Sequence, residues 1–208
     1  MMLKITIQFA SLLFYPCLKN IQIKRLLLSL LIHRLTNTLK IWRCNMELWD
    51  AYDENKNPLG YTIEREKFYS YKTEYHIVVH IWIKNSKNEF LIQQRSANKT
   101  NPLKWAWTGG SVLAGESSLD GAIREVREEL GINLDKEKMT LFTSFKRSVY
   151  RDFVDVYLCE CDVDVSNLIL QKEEVNAAAW LTKQKIHPMI SSGEFVNIDN
   201  SQYVLKLL

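Results

Sequence analysis

Acidic residues are missing from the first 45 positions of this 208-residue chain, which carry four Lys and three Arg. All 24 Asp and Glu lie beyond them, beside the other 20 basic residues. The net charge of +3 is therefore a +7 segment joined to a −4 remainder. It gives no ground for a nucleic-acid partner, which calls for basic residues gathered on one folded face. Long apolar runs are also lacking. The strongest, Leu26 to Ile32, is seven residues with Ser29 inside it, whereas a bilayer-spanning helix needs roughly 20. Seven Gly and four Pro are too few for a collagen-like or Pro-rich disordered chain. The four Cys include no C-x-x-C pair: Cys159 and Cys161 alternate, and Cys17 and Cys44 lie in the basic segment. That spacing argues against zinc and thioredoxin-type sites, and free thiols of a reducing, cytoplasmic compartment are expected.

Residues 1–45 read as a basic N-terminal extension. Gln8 interrupts the only candidate signal-peptide core, and no small-x-small cleavage site follows. Trp42-Arg43-Cys44-Asn45 stands just before Met46, and these residues can be encoded TGG-AGG-TGT-AAT-ATG. That string holds GGAGG at the spacing of a bacterial ribosome-binding site. The expectation is that translation starts at Met46 and that 1–45 are leader. A transit-type targeting peptide and a basic helix lying on a membrane are the alternatives.

The remainder divides into a lead-in, 46–72, and a main domain, 73–208. Glu47–Tyr52 and Leu59–Ile63 flank a turn-rich cluster and read as a hairpin. Tyr75–Ile83 is rich in β-branched and aromatic residues and reads as a buried strand, with Glu89–Gln94 as its hairpin partner. Val149–Cys161 alternates like a strand. Val175–Leu181 reads as a further strand and Thr182–Ile190 as a helix. Strands on both sides of one long helix indicate a mixed α/β domain.

The most informative stretch is 105–132, WAWTGGSVLAGESSLDGAIREVREELGI. At about 100° per residue, Glu125, Glu128 and Glu129 share an arc of roughly 100°. Leu119, Ala122, Ile123, Val126 and Leu130 form a separate apolar stripe suited to packing on a sheet. Ser117 is placed to cap the helix, with Asp120 three residues on, and Gly131 to end it. Three carboxylates so close repel one another unless a cation joins them. Hard oxygen ligands favour Mg²⁺ or Mn²⁺ over zinc. The glycines before the helix let backbone groups approach a metal or phosphate. The chemistry implied is metal-assisted attack of water on phosphorus. A charged helix face alone is usually just solvated. The whole spacing, Gly110, Glu116, Arg124-Glu125, Glu128-Glu129 and Gly131 with two apolar slots, should arise by chance on the order of once in 10⁷ chains.

These residues resemble the Nudix box of the Nudix hydrolase family at every fixed position. The resemblance extends over about Met46 to Leu208, and it is similar to the branch near type 1 isopentenyl-diphosphate isomerase. Trp49-Asp50, Tyr75–His80, Gln94-Arg95-Ser96 and Glu173-Glu174-Val175 before Trp180 carry that finer likeness. It implies an α/β/α sandwich with a central mixed sheet, and Mg²⁺-dependent cleavage of a nucleoside diphosphate linked to another moiety or of a related organic diphosphate. It implies Glu125, Glu128 and Glu129 as metal ligands, with the Gly109 carbonyl as a further one. Glu125 would be a candidate base, Arg124 would orient a catalytic Glu, and Glu116 would support the loop or a second metal. Asp155 and Glu174 are alternative bases outside the box. Arg95 and Lys99 match positions that grip a diphosphate in the isomerase, and His76 matches one of its metal-binding His. A small-molecule diphosphate is the expected partner, a homodimer is compatible with the family, and no membrane partner is expected unless the extension is real.

Isomerisation is the rival to hydrolysis, and a non-catalytic nucleotide-binding module is the third reading. The isomerase uses a Cys and a Glu across its substrate, yet the loop Trp107–Gly115 has no Cys. Its box is degraded, whereas this one is complete. His76 and His80 lie roughly 13 Å apart by strand rise, too far to share one ion, so structural roles are expected. Lys146, Arg147 and Arg151 read as a solvated basic loop. Trp105, Trp107 and Trp180 read as core.

Overall fold

The computed structural model describes residues 47–196 and 202–208. The expected extension, 1–45, lies outside the described residues. Leu48–Leu208 forms one compact unit. Its elements are β1 (Leu48–Tyr52), β2 (Pro58–Glu64), a 3₁₀ turn (Arg65–Ser70), β3 (His76–Lys84), β4 (Glu89–Arg95), β5 (Trp105–Ala106), β6 (Thr108–Ser111), α1 (Ser118–Leu130), β7 (Met139–Arg147), β8 (Asp152–Glu160), β9 (Val175–Thr182), α2 (Lys183–Ser192) and α3 (Gln202–Leu207).

β1 and β2 form a separate antiparallel pair, and the other seven strands form one sheet. β3 is its axis. It runs parallel to β8 over nine residues, from His76↔Asp152 to Lys84↔Glu160. Its other edge is shared: β4 pairs antiparallel near Ile83, and β6 pairs antiparallel over Val78–Ile81. The sheet is therefore mixed, as the sequence suggested.

The period-2 alternation of β3 builds both layers. Ile77, Val79, Ile81 and Ile83 join Ala122, Val126 and Leu130 of α1 in one core. Trp82, on the opposite parity, joins Val154, Val156, Ile186 of α2, Phe195 and Tyr203 of α3 in the other. Each fully buried aliphatic side chain contributes roughly 1.5–3 kcal/mol, so each face has reason to keep its register. The α/β/α sandwich follows.

Three expectations are corrected. Lys146 and Arg147 are not loop residues but end β7, an edge strand whose residues are largely exposed. Arg147 makes a two-bond ion pair with buried Asp152, at 2.8 and 2.6 Å. The strand expected from Val149 starts only at Asp152, because Arg151, in the turn, reverses the chain at φ 52° and Val149 stays exposed. The Arg151 guanidinium donates to the Tyr71 carbonyl at 2.7 Å and lies over Phe68. These cations are committed to joining segments.

Candidate active site

α1 supplies the scaffold. The Ser117 side chain accepts from the Asp120 amide at 3.1 Å, and Gly131 closes the helix at φ 72°. With Ala122, Val126 and Leu130 fully buried, the stripe bearing Arg124, Glu125 and Glu128 is turned to the rim.

Arg124 is the hub of that rim. Its Nε donates to both Glu116 oxygens at 2.9 and 3.1 Å. Its Nη1 donates to Glu125 Oε1 at 2.9 Å and Glu128 Oε2 at 3.0 Å, and its Nη2 to the Ser111 carbonyl at 2.9 Å. Burial works against the guanidinium charge, but hydrogen bonds and charge from Glu116 and Glu125 outweigh it and hold the pKa above the usual range. The carboxylate of Glu125 lies against Gly110, where any Cβ would collide with it.

Glu129 differs from its neighbours, being only 7% exposed. Gln93 Nε2 donates to its Oε2 at 2.8 Å, and Thr108 Oγ1 donates to Gln93 Oε1 at 3.3 Å. Burial pushes the Glu129 carboxyl up to about 8; the charges of Glu125 and Glu174 add to this, while the Gln93 bond and Lys99 oppose it.

Gly109 pairs with His80 on β3. The Val112 amide donates to the Ile77 carbonyl, so by antiparallel alternation Gly109 and Ser111 turn their carbonyls away from β3. Ser111 spends its carbonyl on Arg124, and Gly109 presents its own along the same edge.

Outside the box, Lys99 forms an ion pair with Glu174, and Ser96 Oγ donates to the Glu173 carbonyl at 2.6 Å. The two segments are thereby joined, near enough for both charges to act on Glu129. Arg95 donates to the Thr100 carbonyl at 2.7 Å and to Thr100 Oγ1 at 3.1 Å. Asp155 is buried on β8, held by Lys56 Nζ and Ser144 Oγ, each at 2.6 Å. It aligns with Val79, itself opposite Gly110, so a strand separates it from the Glu125 cradle.

The two His have structural surroundings. His76 stacks on Trp49 at 3.9 Å between ring centres, with Phe68 at its edge. His80 Nδ1 is 2.9 Å from the Tyr203 hydroxyl, beside Trp107. Trp105, Trp107 and Trp180 pack against the cores. Sequence reasoning missed Gln93 and Thr108. The signal for Gln93 was available, because it shares the inward parity of Leu91 on a buried strand. That position is apolar unless a polar partner awaits it.

All-oxygen donors, a glycine cradle and a carbonyl aimed off the sheet suit a hard divalent cation. No three acidic, His or Cys side chains converge on one point among the described residues, since Arg124 bridges Glu125 and Glu128 and Gln93 engages Glu129. The donor set fits such an ion, while its positive charge is here matched by the guanidinium.

An α/β/α sandwich carries a Glu-rich helix against a glycine loop, and known proteins share this arrangement. The NUDIX domain profile matches residues 74–197. An uncharacterized Nudix hydrolase of Listeria monocytogenes is 40% identical over 154 residues, 73% of this chain and 89% of that one. A Deinococcus radiodurans Nudix hydrolase is 28% identical over 132 residues, 61% of this chain and 75% of that one. The crystal structure of DR0079 from Deinococcus radiodurans superposes with a TM-score of 0.64 at 25% identity, covering 77% of this chain and 98% of that one. The chain belongs to the Nudix hydrolase family. Among the described residues, no helix is long and apolar enough to cross a membrane.

Proposed function

We propose that this chain is a Mg²⁺-dependent hydrolase of a nucleoside diphosphate linked to another moiety or of a related organic diphosphate. Mn²⁺ is the alternative ion of the same donor chemistry. One observation carries the reading: a single guanidinium gathers Glu116, Glu125 and Glu128, with Glu125 seated on Gly110. Glu125, Glu128, Glu129 and the Gly109 carbonyl would hold the ion, which when bound neutralises phosphate charge and lowers the pKa of the attacking water.

The chain's own residues divide the remaining work. Arg124 orients Glu125 and Glu128 through their shared Nη1. Glu116 fixes Arg124 from the loop side. Glu129, whose carboxyl is raised by burial, would give up its proton on binding the ion. Arg95 and Lys99 would bind the diphosphate, with Glu174, the ion-pair partner of Lys99, as a base outside the box. Glu125 is the competing base.

The isomerase reading has no support from the relatives described above. His76, which it would use as a ligand, is stacked on Trp49 with Phe68 edge-on. A nucleotide-binding module without activity fits poorly with a complete set of carboxylates.

A panel of diphosphates incubated with Mg²⁺, reading phosphate and monophosphate products, tests the proposal. Glu129→Gln should abolish turnover while leaving circular dichroism unchanged. Full activity in that variant would defeat the metal assignment.

A further inference from the structure

The family profile begins at residue 74, but the box loop is held by residues that precede it. The Ala114 amide donates to the Leu48 carbonyl at 2.8 Å. The Gly115 amide donates to Asp50 Oδ2, also at 2.8 Å. Gly115 stands at φ 81°, and a Cβ built there would meet nothing within 4 Å. Leu113 packs on the hairpin core, but nothing packs around Gly115 itself, which is tied to β1 through the Asp50 bond. The next residue is Glu116, whose carboxylate takes Arg124 Nε and the Leu113 amide.

β1 is itself a firm reference. Ile63 beneath it is fully buried and Trp49 nearly so. Tyr52 and Tyr75 exchange backbone bonds at 2.9 and 2.8 Å. The far end of the hairpin is pinned by Lys56 to Asp155 and by Lys146 to the Glu54 carbonyl.

We infer that Asp50 is a positioning residue for the Arg124–carboxylate cluster: its hydrogen bond to Gly115 fixes the turn that places Glu116, and Glu116 in turn orients Arg124. The hairpin outside the family profile is thus part of the site. The inference rests on the proposed metal role of that cluster. A charged acceptor on a backbone N–H makes one of the stronger hydrogen bonds, and groups that orient first ligands typically matter by about 10–100-fold in metal affinity.

The test uses the full chain and three variants. Hydrogen exchange at the Gly115 amide reads the tether without any metal. Mn²⁺ titration of the substrate-free protein reads the cluster. The kcat and KM on a cleaved diphosphate read the reaction. Asp50→Ala should speed Gly115 exchange, weaken Mn²⁺ by about tenfold, and lower kcat more than it raises KM. Asp50→Asn keeps an oxygen acceptor and should restore all three. Ile63→Val should lower the melting temperature yet keep wild-type Mn²⁺ affinity, which separates positioning from hairpin stability. Should Asp50→Ala fail to fold, Asp50→Val, which likewise has no acceptor, carries the same expectations. Wild-type Mn²⁺ affinity in Asp50→Ala, or an Asp50→Asn as impaired as Asp50→Ala, would overturn the inference. A wild-type chain that binds no Mn²⁺ but shows the Asp50-dependent exchange would instead overturn the metal reading and leave the tether standing.

Discussion

Gly110 and Glu125 illustrate how one side chain's absence makes room for another's charge. Glu125 is placed by the helix, but its carboxylate rests where a Cβ at 110 would be. Gly110→Ala should lower kcat/KM by about tenfold or more, by turning Glu125 off its seat. It should cost about 1–3 kcal/mol of stability through overpacking, readable by denaturant titration. Glu125, Glu128 and Glu129 were legible in the sequence because the helical repeat puts them on one arc, whereas Gly110, on β6, and Glu116, in the loop, were read from the spacing of the whole motif. The inward parity of Gln93 marked it as needing a polar partner, but the identities of the partners, Glu129 for Gln93 and Gly115 for Asp50, were not legible, because each lies distant in sequence. No local periodicity records such pairs.

At the scale of elements, α1 was legible from end to end. Ser117 caps it and Gly131 terminates it in the left-handed region, as their residue types suggested. Ser117→Ala should cost about 1 kcal/mol and lower the melting temperature by roughly 2–4 °C, measurable by calorimetry. β7 was illegible. Met139–Arg147 is an edge strand with most side chains exposed, and its pairing shifts register between Leu141 and Thr143. A bulged edge strand neither alternates cleanly nor reads as apolar, so its two terminal cations resembled loop charges. β5 and β6 are two and four residues long, too short for a periodic signal. They form because β3 and β4 offer open edges.

For the whole molecule, three buried ionisable groups set opposing pH limits. Burial lowers the His76 pKa to about 3 and that of His80 well below 6.5. Their neutral rings contribute stability that is present above about pH 6.5 and lost as pH falls toward the folded values. Glu129 is raised from 4.5 to about 8. Its contribution is present below pH 4.5 and is lost as pH rises through about 8. Metal-free protein should therefore melt highest near neutral pH, and Glu129→Gln should remove the alkaline decline. Mg²⁺ should raise the melting temperature more at pH 9 than at pH 6, because the ion displaces the proton that burial retains. A thermal-shift series with and without EDTA checks both.

The parallel ladder of β3 and β8 has a further consequence in time. It joins His76 to Asp152, residues 76 positions apart, and everything between them, including α1 and the carboxylate loop, must be threaded inside that closure. Long-range parallel pairing is slow because closure entropy is lost before its contacts form. The nascent chain should therefore gain the helix early and the working arrangement of its acids late, only after β8 has been synthesised and has docked.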